Sequence, residues 1–204
     1  MTTKDLTQII ETYNLTCCMI HQRGQLKYVY EQSPGDTVEL LPINSCTKSF
    51  LSALICIAID RELFPALETP VSEFFPELLH HSSKKRKQAM TVEHLLNMPA
   101  GLHWSEFGGS NSFPKMSRTA NWIQYVLKLP LADHPGDKWT YNSGVSQMLA
   151  WILQEAIEMP INHFAEQQLF KALNIEQYEW ESDPQGVHTG GFGMKLKAVD
   201  LLSF

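Results

Sequence analysis

The rhythm of apolar and polar positions changes along the chain, and each change predicts an element. Residues 3–13 are polar with amphipathic spacing and predict an N-terminal helix. TCCMIHQRGQLKYVYEQ, residues 16–32, reads as a β-hairpin with Arg23-Gly24 at its turn. From Phe50 to Ile59 the run FLSALICIAI has one polar residue, Ser52, so a buried helix is expected, reaching about Arg61. A loop-rich stretch extends to Gln88, and Thr91-Val92-Glu93-His94 starts a short helix. Gly101 to Pro114 is rich in Gly, Ser and aromatics and predicts a long surface loop. Two amphipathic helices follow. Val145, Met148, Leu149, Ile152, Leu153 and Ala156 form the apolar face of one; Ile161, Phe164, Ala165, Leu169, Ala172 and Leu173 form that of the other. The chain has no internal repeat and no linker-like composition.

Composition narrows the class. A chain of 204 residues can bury a substantial core, most simply as one domain with an inserted helical layer. Its net charge of −6 argues against nucleic acid or an anionic membrane as the main partner. The polar start TTKDLTQIIETYNL has no basic-then-apolar signal and no membrane span, so a cytoplasmic protein is expected. Cys17 and Cys18 are adjacent, Cys46 and Cys56 lie on the apolar helix, and no C-x-x-C occurs, so the four cysteines read as reduced thiols. The eight histidines, His80-His81 among them, show no zinc-type spacing, and neither a metal nor a cofactor is expected. Lys84 to Lys87 reads as a solvated loop. Oligomeric state has no signature in the sequence.

Candidate chemistry enters at Ser45-Cys46-Thr47-Lys48. Ser45, Lys48, Ser49 and Ser52 fall at i, i+3, i+4 and i+7, one polar stripe on an otherwise apolar helix. A hydroxyl and an amine one turn apart put a nucleophile and a base on one face. This is the S-x-x-K arrangement of serine β-lactamases and penicillin-binding proteins. Ser82 to Lys85 and Ser112 to Lys115 have the same spacing, but they lie in charged or Gly/Ser-rich stretches with no packed helix to fix them. The structural alternative for Ser45 is an N-cap on a core helix.

Further segments, in order, resemble the serine β-lactamase-like family, which includes class C β-lactamases, D-alanyl-D-alanine carboxypeptidases and related esterases. LETPVSEFFPEL (67–78) is similar to the segment after the nucleophile helix. MTVEHLLNMPAGL (90–102) resembles the family's T-x-x-H-L-L-x-x-x-S-G-L signature, with Ala100 where Ser or Thr is usual. PGDKWTYNSGVSQMLAWILQEAIEMP (135–160) resembles its P-G-x-x-x-x-Y-S-N turn and following helix, and GGFGMKLKAVDLLSF (190–204) its Gly-rich turn leading into a helix. The resemblance runs from about Thr16 to the last residue. It implies that Ser45 is the acylated nucleophile, Lys48 its proton acceptor, and Tyr141 the partner that passes a proton to the leaving group. Ser143 stands at the third position of the second motif, where the family more often has Asn, and inherits a substrate-contacting role. Desolvation would favour a neutral lysine, and a neighbouring ammonium a phenolate, so either group suits the task of first base.

Other residues have plainer roles. His94 and His103 read as structural histidines. Trp104 and Phe107 either line a substrate cleft or pack the loop, and Trp104 is carried as a substrate-binding candidate. His188-Thr189-Gly190 has the form of the family's third motif, but the segment after it matches the Gly-rich turn that precedes that motif by a long stretch, so it reads as a turn.

The expected architecture is α+β, β-lactamase/transpeptidase-like: an antiparallel sheet with packed helices and an inserted helical subdomain. The hairpin and nucleophile helix would occupy about 15–62 and the helical subdomain about 63–204, with the C-terminal strands missing and the domain incomplete. The expected function is a serine hydrolase forming an acyl-enzyme with a small ester or amide, including a β-lactam or peptide. The alternative is a non-catalytic fold relative acting as a binding or interaction module.

Overall fold

Helix α1 (Thr3–Thr12) leads into a hairpin of β1 (Cys17–Gln22) and β2 (Gln25–Glu31), in a computed structural model that describes residues 3–79 and 86–204. Arg23 and Gly24 both take positive φ, 52° and 73°, the geometry a two-residue hairpin turn requires. Thr7 Oγ1 lies 2.8 Å from the Tyr28 hydroxyl and ties α1 to β2.

The short strand β3 (Leu41–Pro42) enters a 3-10 turn, Asn44–Cys46, that runs directly into α2 (Thr47–Asp60). Phe50, Leu51, Leu54, Ile55 and Ala58 are buried on α2, whereas Ser49, Ser52 and Cys56 face outward. Burying each large aliphatic or aromatic side chain contributes about 1.5–3 kcal/mol. This one-sided packing fixes α2 and therefore the polar stripe it carries.

Between α2 and Thr91 the described chain forms 3-10 turns at Val71–Glu73, Pro76–Leu78 and Lys87–Ala89. His80 to Lys85 lie outside the described residues. That segment holds the His80-His81 pair, the Ser82 to Lys85 copy of the spacing, and the first half of the Lys84 to Lys87 run. Lys87 itself is not solvated. It is 6% exposed and its Nζ donates to the Leu127 carbonyl at 2.8 Å, an acceptor left over in the last turn of a helix.

Helix α3 (Val92–Leu96) begins at Thr91 as expected, with a reciprocal cap: Thr91 Oγ1 accepts from the His94 N–H, and His94 Nδ1 accepts from the Thr91 N–H at 3.1 Å. Helices α4 (Phe113–Met116) and α5 (Trp122–Lys128) follow, then α6 (Ser143–Ile157), which packs against α2, α3, α4, α5 and α7 (Ile161–Ala165). The first eight residues of α6 are all buried, so its polar side chains there must be hydrogen-bonded inside the protein.

The 101–114 segment is not simply a surface loop. Leu102, Trp104 and Ser112 are buried within it, because Ser112 N–H donates to the Tyr125 hydroxyl at 3.1 Å and Ser112 Oγ to the Gly109 carbonyl at 2.8 Å, folding the loop back on α5. The expected long helix after Pro160 is interrupted. A π-turn at Glu166–Phe170 separates α7 from α8 (Lys171–Leu173). The inserted residue rotates the face, so Phe170 is buried in place of Ala172, which is exposed. Phe170 then meets Phe50 edge-on at 6.2 Å.

A second sheet was not apparent in the sequence. β4 (Glu179–Trp180) and β5 (Met194–Leu196) join β3 in the order β3-β5-β4, antiparallel throughout, ahead of α9 (Ala198–Ser203). The pairing of Leu41 with Leu196 brings the chain just before Ser45 against the chain just after Gly193. Among the described residues no helix is long and apolar enough to cross a membrane.

Candidate active site

Ser45 sits in the 3-10 turn, one step before α2 rather than within it. Asn44 has φ 46°, a left-handed conformation that Asn tolerates better than most residues, and this bend lifts the chain out of β3 into the helix. The turn is pinned from beneath: Ile43 N–H donates to the Met194 carbonyl at 3.0 Å, and the buried Thr47 donates through Oγ1 to the Asn44 carbonyl at 2.7 Å. Ser45 is left exposed, with Lys48 half-buried one turn further on.

Lys48 is held from several sides. Its Nζ donates to Ser143 Oγ at 2.9 Å and to the Gly191 carbonyl at 2.8 Å, and lies 4.6 Å from the centre of the Tyr141 ring. The ring face is electron-rich and attracts an ammonium. Gly191 suits this approach, since a Cβ there would stand 3.1 Å from Lys48 Nζ and 3.2 Å from Ser143 Oγ and press on both. Residues that are 95 and 143 positions from Lys48 thus converge on one amine.

Tyr141 and Ser143 are positioned by the start of α6. Asn142 is the N-cap, its Oδ1 accepting from the N–H groups of Gly144 at 2.8 Å and Val145 at 3.2 Å. The cap leaves Tyr141 half-buried just outside the helix and places Ser143, 2% exposed, at its first position. The Tyr-Asn-Ser order therefore has a local cause: Asn in the middle closes the helix end.

Trp104 is 8% exposed and packs in the core; its Nε1 donates to Glu106 Oε2 at 2.7 Å. It thus backs the site rather than presenting a face to solvent. Phe107 is 90% exposed, and His103 Nδ1 pairs with Asn111 Nδ2 at 2.6 Å. His188-Thr189-Gly190 lies outside the named strands; His188 forms an isolated bridge with Ser182. The contribution of this region to the site is the Gly191 carbonyl.

Two residues at the site escaped the sequence reading. Glu106 accepts from Trp104 Nε1, from the Ser143 N–H at 3.0 Å, and from the Ser143 hydroxyl. Gln147 is fully buried, with Nε2 donating to Asp183 Oδ2 and Oε1 accepting from Gly190 N–H, each at 3.0 Å, so it anchors the 183–190 loop on α6. Gln147 stands one turn after Ser143 between Ser146 and the apolar run from Met148, a polar position on a buried helix that could have marked it. Glu106 had no such signal.

A cavity of about 280 Å³ lies beside Asn44, lined by Phe113, Phe192, Glu181, Met194 and Lys195. A larger one, about 450 Å³ between Phe75, Ile123, Gln124 and Trp151, touches none of the site residues. The first adjoins Asn44, the residue before the candidate nucleophile, and is of the size that takes part of a small molecule, although Ser45, Lys48, Tyr141 and Ser143 do not line it.

Helices packed on small antiparallel sheets, with Ser-x-x-Lys facing a Tyr from the start of a second helix, define a β-lactamase/transpeptidase-like fold. Residues 20–200 match the family model described as Beta-lactamase, and the chain belongs to that family. Solved structures agree on the fold. A protein from Bacillus anthracis assigned as a 6-aminohexanoate-dimer hydrolase superposes with TM-score 0.81 at 17% identity, covering 98% of this chain and 55% of that one. A class C beta lactamase gives 0.74 at 18% identity, with 98% and 62% covered. The D-alanine carboxypeptidase AmpC from Burkholderia cenocepacia gives 0.70 at 20% identity, with 98% and 61% covered. The chain therefore spans between 55% and 62% of the length of these proteins.

Proposed function

We propose that the protein is a serine hydrolase in which Ser45 forms an acyl-enzyme with a small ester or amide. The observation that carries the proposal is the environment of Lys48, an amine held by Ser143, Gly191 and the face of Tyr141 one turn after an exposed serine. Serine is a weak nucleophile until a neighbouring group takes its proton. In the proposed cycle the Ser45 proton passes to the Lys48–Tyr141 pair as Oγ attacks the carbonyl. The pair returns a proton to the leaving alcohol or amine, and water then releases the acyl group. The Ser45 N–H, at the entry to α2, is the oxyanion donor this chain supplies. Ser143, 2% exposed, serves the reaction by holding Lys48, and the cavity beside Asn44 receives the acyl portion. A cytoplasmic setting belongs to the same proposal, supported by the four cysteines, all of them free thiols.

The test is a pre-steady-state measurement with a panel of nitrophenyl esters and a chromogenic β-lactam. A burst of leaving group approaching one equivalent, followed by slower turnover, is expected for at least one ester. Release at the buffer rate across the panel by folded protein would favour the interaction-module alternative.

A further inference from the structure

Glu106 has no role in the reaction just described, yet its carboxylate faces the site and is fully engaged. Oε2 accepts from Trp104 Nε1 at 2.7 Å and from the Ser143 N–H at 3.0 Å; Oε1 accepts from the Ser143 hydroxyl. A serine hydroxyl has one hydrogen to give. Once that hydrogen is directed at Glu106, the lone pairs of Ser143 Oγ are left for Lys48, whose Nζ donates to it at 2.9 Å. The chain of contacts runs in one direction, from the amine through the hydroxyl to the carboxylate.

We propose that Glu106 is a positioning residue for acylation: through the Ser143 hydroxyl it holds the Lys48 amine in register with Ser45 and Tyr141. The assignment rests on the reading of Ser45 and Lys48 given above. Without the carboxylate the Ser143 hydrogen is free to turn toward Lys48, the oxygen no longer presents its lone pairs to the amine, and Lys48 keeps the Gly191 carbonyl and the face of Tyr141. A displacement of about 1 Å in a catalytic group costs up to about a hundredfold in rate.

A purely structural role must be distinguished, because Glu106 also ties the 101–112 loop to the first turn of α6, where a negative charge is favourable. Glu106→Gln separates the two. One amide oxygen still accepts from Trp104 and from the Ser143 N–H, whereas the amide nitrogen now faces Ser143 Oγ as a donor and reverses that single link. The expected result is a fall in kcat of roughly ten- to a hundredfold with KM changed by less than about twofold. Ser143→Ala removes the relay but leaves its backbone N–H on Glu106. In that background Glu106→Gln should therefore have little further effect, giving strongly non-additive losses. Additive losses in the double variant would overturn the proposal in favour of a structural role.

A second readout does not depend on turnover. In a crystal structure of the wild type, Lys48 Nζ should lie in hydrogen-bond reach of both Ser143 Oγ and the Gly191 carbonyl, and Glu106→Gln should leave the amine displaced or spread over several rotamers. A Lys48 amine as well placed and as well ordered in Ser143→Ala as in the wild type overturns the positioning role even if Glu106→Gln does not fold. Wild-type protein that holds the amine in this way but does not acylate would instead count against the proposed hydrolase activity.

Discussion

Lys48→Ala is expected to slow acylation of Ser45 by at least about a hundredfold, the usual scale for losing acid–base help. The substitution removes an amine that touches Ser143 Oγ, the Gly191 carbonyl and the Tyr141 ring together. Tyr141→Phe should have an effect of similar size by a different route. The ring under Lys48 Nζ is kept and the hydroxyl alone is lost, so a slow Tyr141→Phe protein would locate the chemistry in the phenol oxygen. A near-normal rate in Tyr141→Phe would remove that oxygen from the mechanism and leave Lys48 as the sole base. Thermal unfolding should change less than the rate in both variants, since neither residue belongs to the apolar layer formed by Phe50, Leu54 and Ile55. Stopped-flow ester hydrolysis with a parallel melting curve measures both.

The largest loss of stability is expected from Gly190→Ala. A Cβ at position 190 would lie 2.1 Å from the Ser146 carbonyl oxygen, 2.8 Å from its carbon and 2.9 Å from Leu51 Cδ2. Two of these are backbone atoms of α6, which is wedged among other helices and cannot retreat, so the loop must give way instead. Destabilisation of about 3 kcal/mol or more is expected, at the upper end for an overpacked core. Displacing the loop also withdraws the Gly191 carbonyl from Lys48, so acylation should fall even at temperatures where the variant is folded. Gly108→Ala is the matched control, because a Cβ there meets nothing within 4 Å. Urea midpoints at constant m for the two variants test the claim; equal midpoints would contradict it.

Much of this site was legible in the sequence because its parts lie on regular elements. Lys48, Ser49 and Ser52 keep to the outward edge of α2, with Ser45 in the turn that leads into it, since burial of Phe50, Leu54 and Ile55 on the other side leaves them nowhere else to go. Thr91 marks a helix start by its own chemistry, and the hairpin follows from Arg23-Gly24. The parts that were not legible depend on contacts between distant segments. Strands β3, β4 and β5 are two or three residues long, too short to show a period of two, and exist because backbone partners meet in space. The π-turn at Glu166–Phe170 shifts the apolar face by one position, which no regular helical template anticipates. Glu106 lies in a Gly/Ser-rich stretch whose composition suggests exposure; its role comes from the return of Ser143, 37 positions later, to the same place.

The central claim is that Ser45, and no other serine, is the acyl acceptor. The spacing to a lysine is shared by Ser112, but Ser112 is 1% exposed and its hydroxyl already donates to the Gly109 carbonyl at 2.8 Å, so it is neither accessible nor free. Ser45 is exposed. The direct measurement is to label the folded protein with a fluorophosphonate or penicillin-type probe and locate the adduct by peptide mapping. One adduct per chain is predicted, on the peptide that contains Ser45, and it should vanish in Ser45→Ala. An adduct on Ser82 or Ser112, or labelling that persists in Ser45→Ala, would contradict the assignment of Ser45 as the nucleophile.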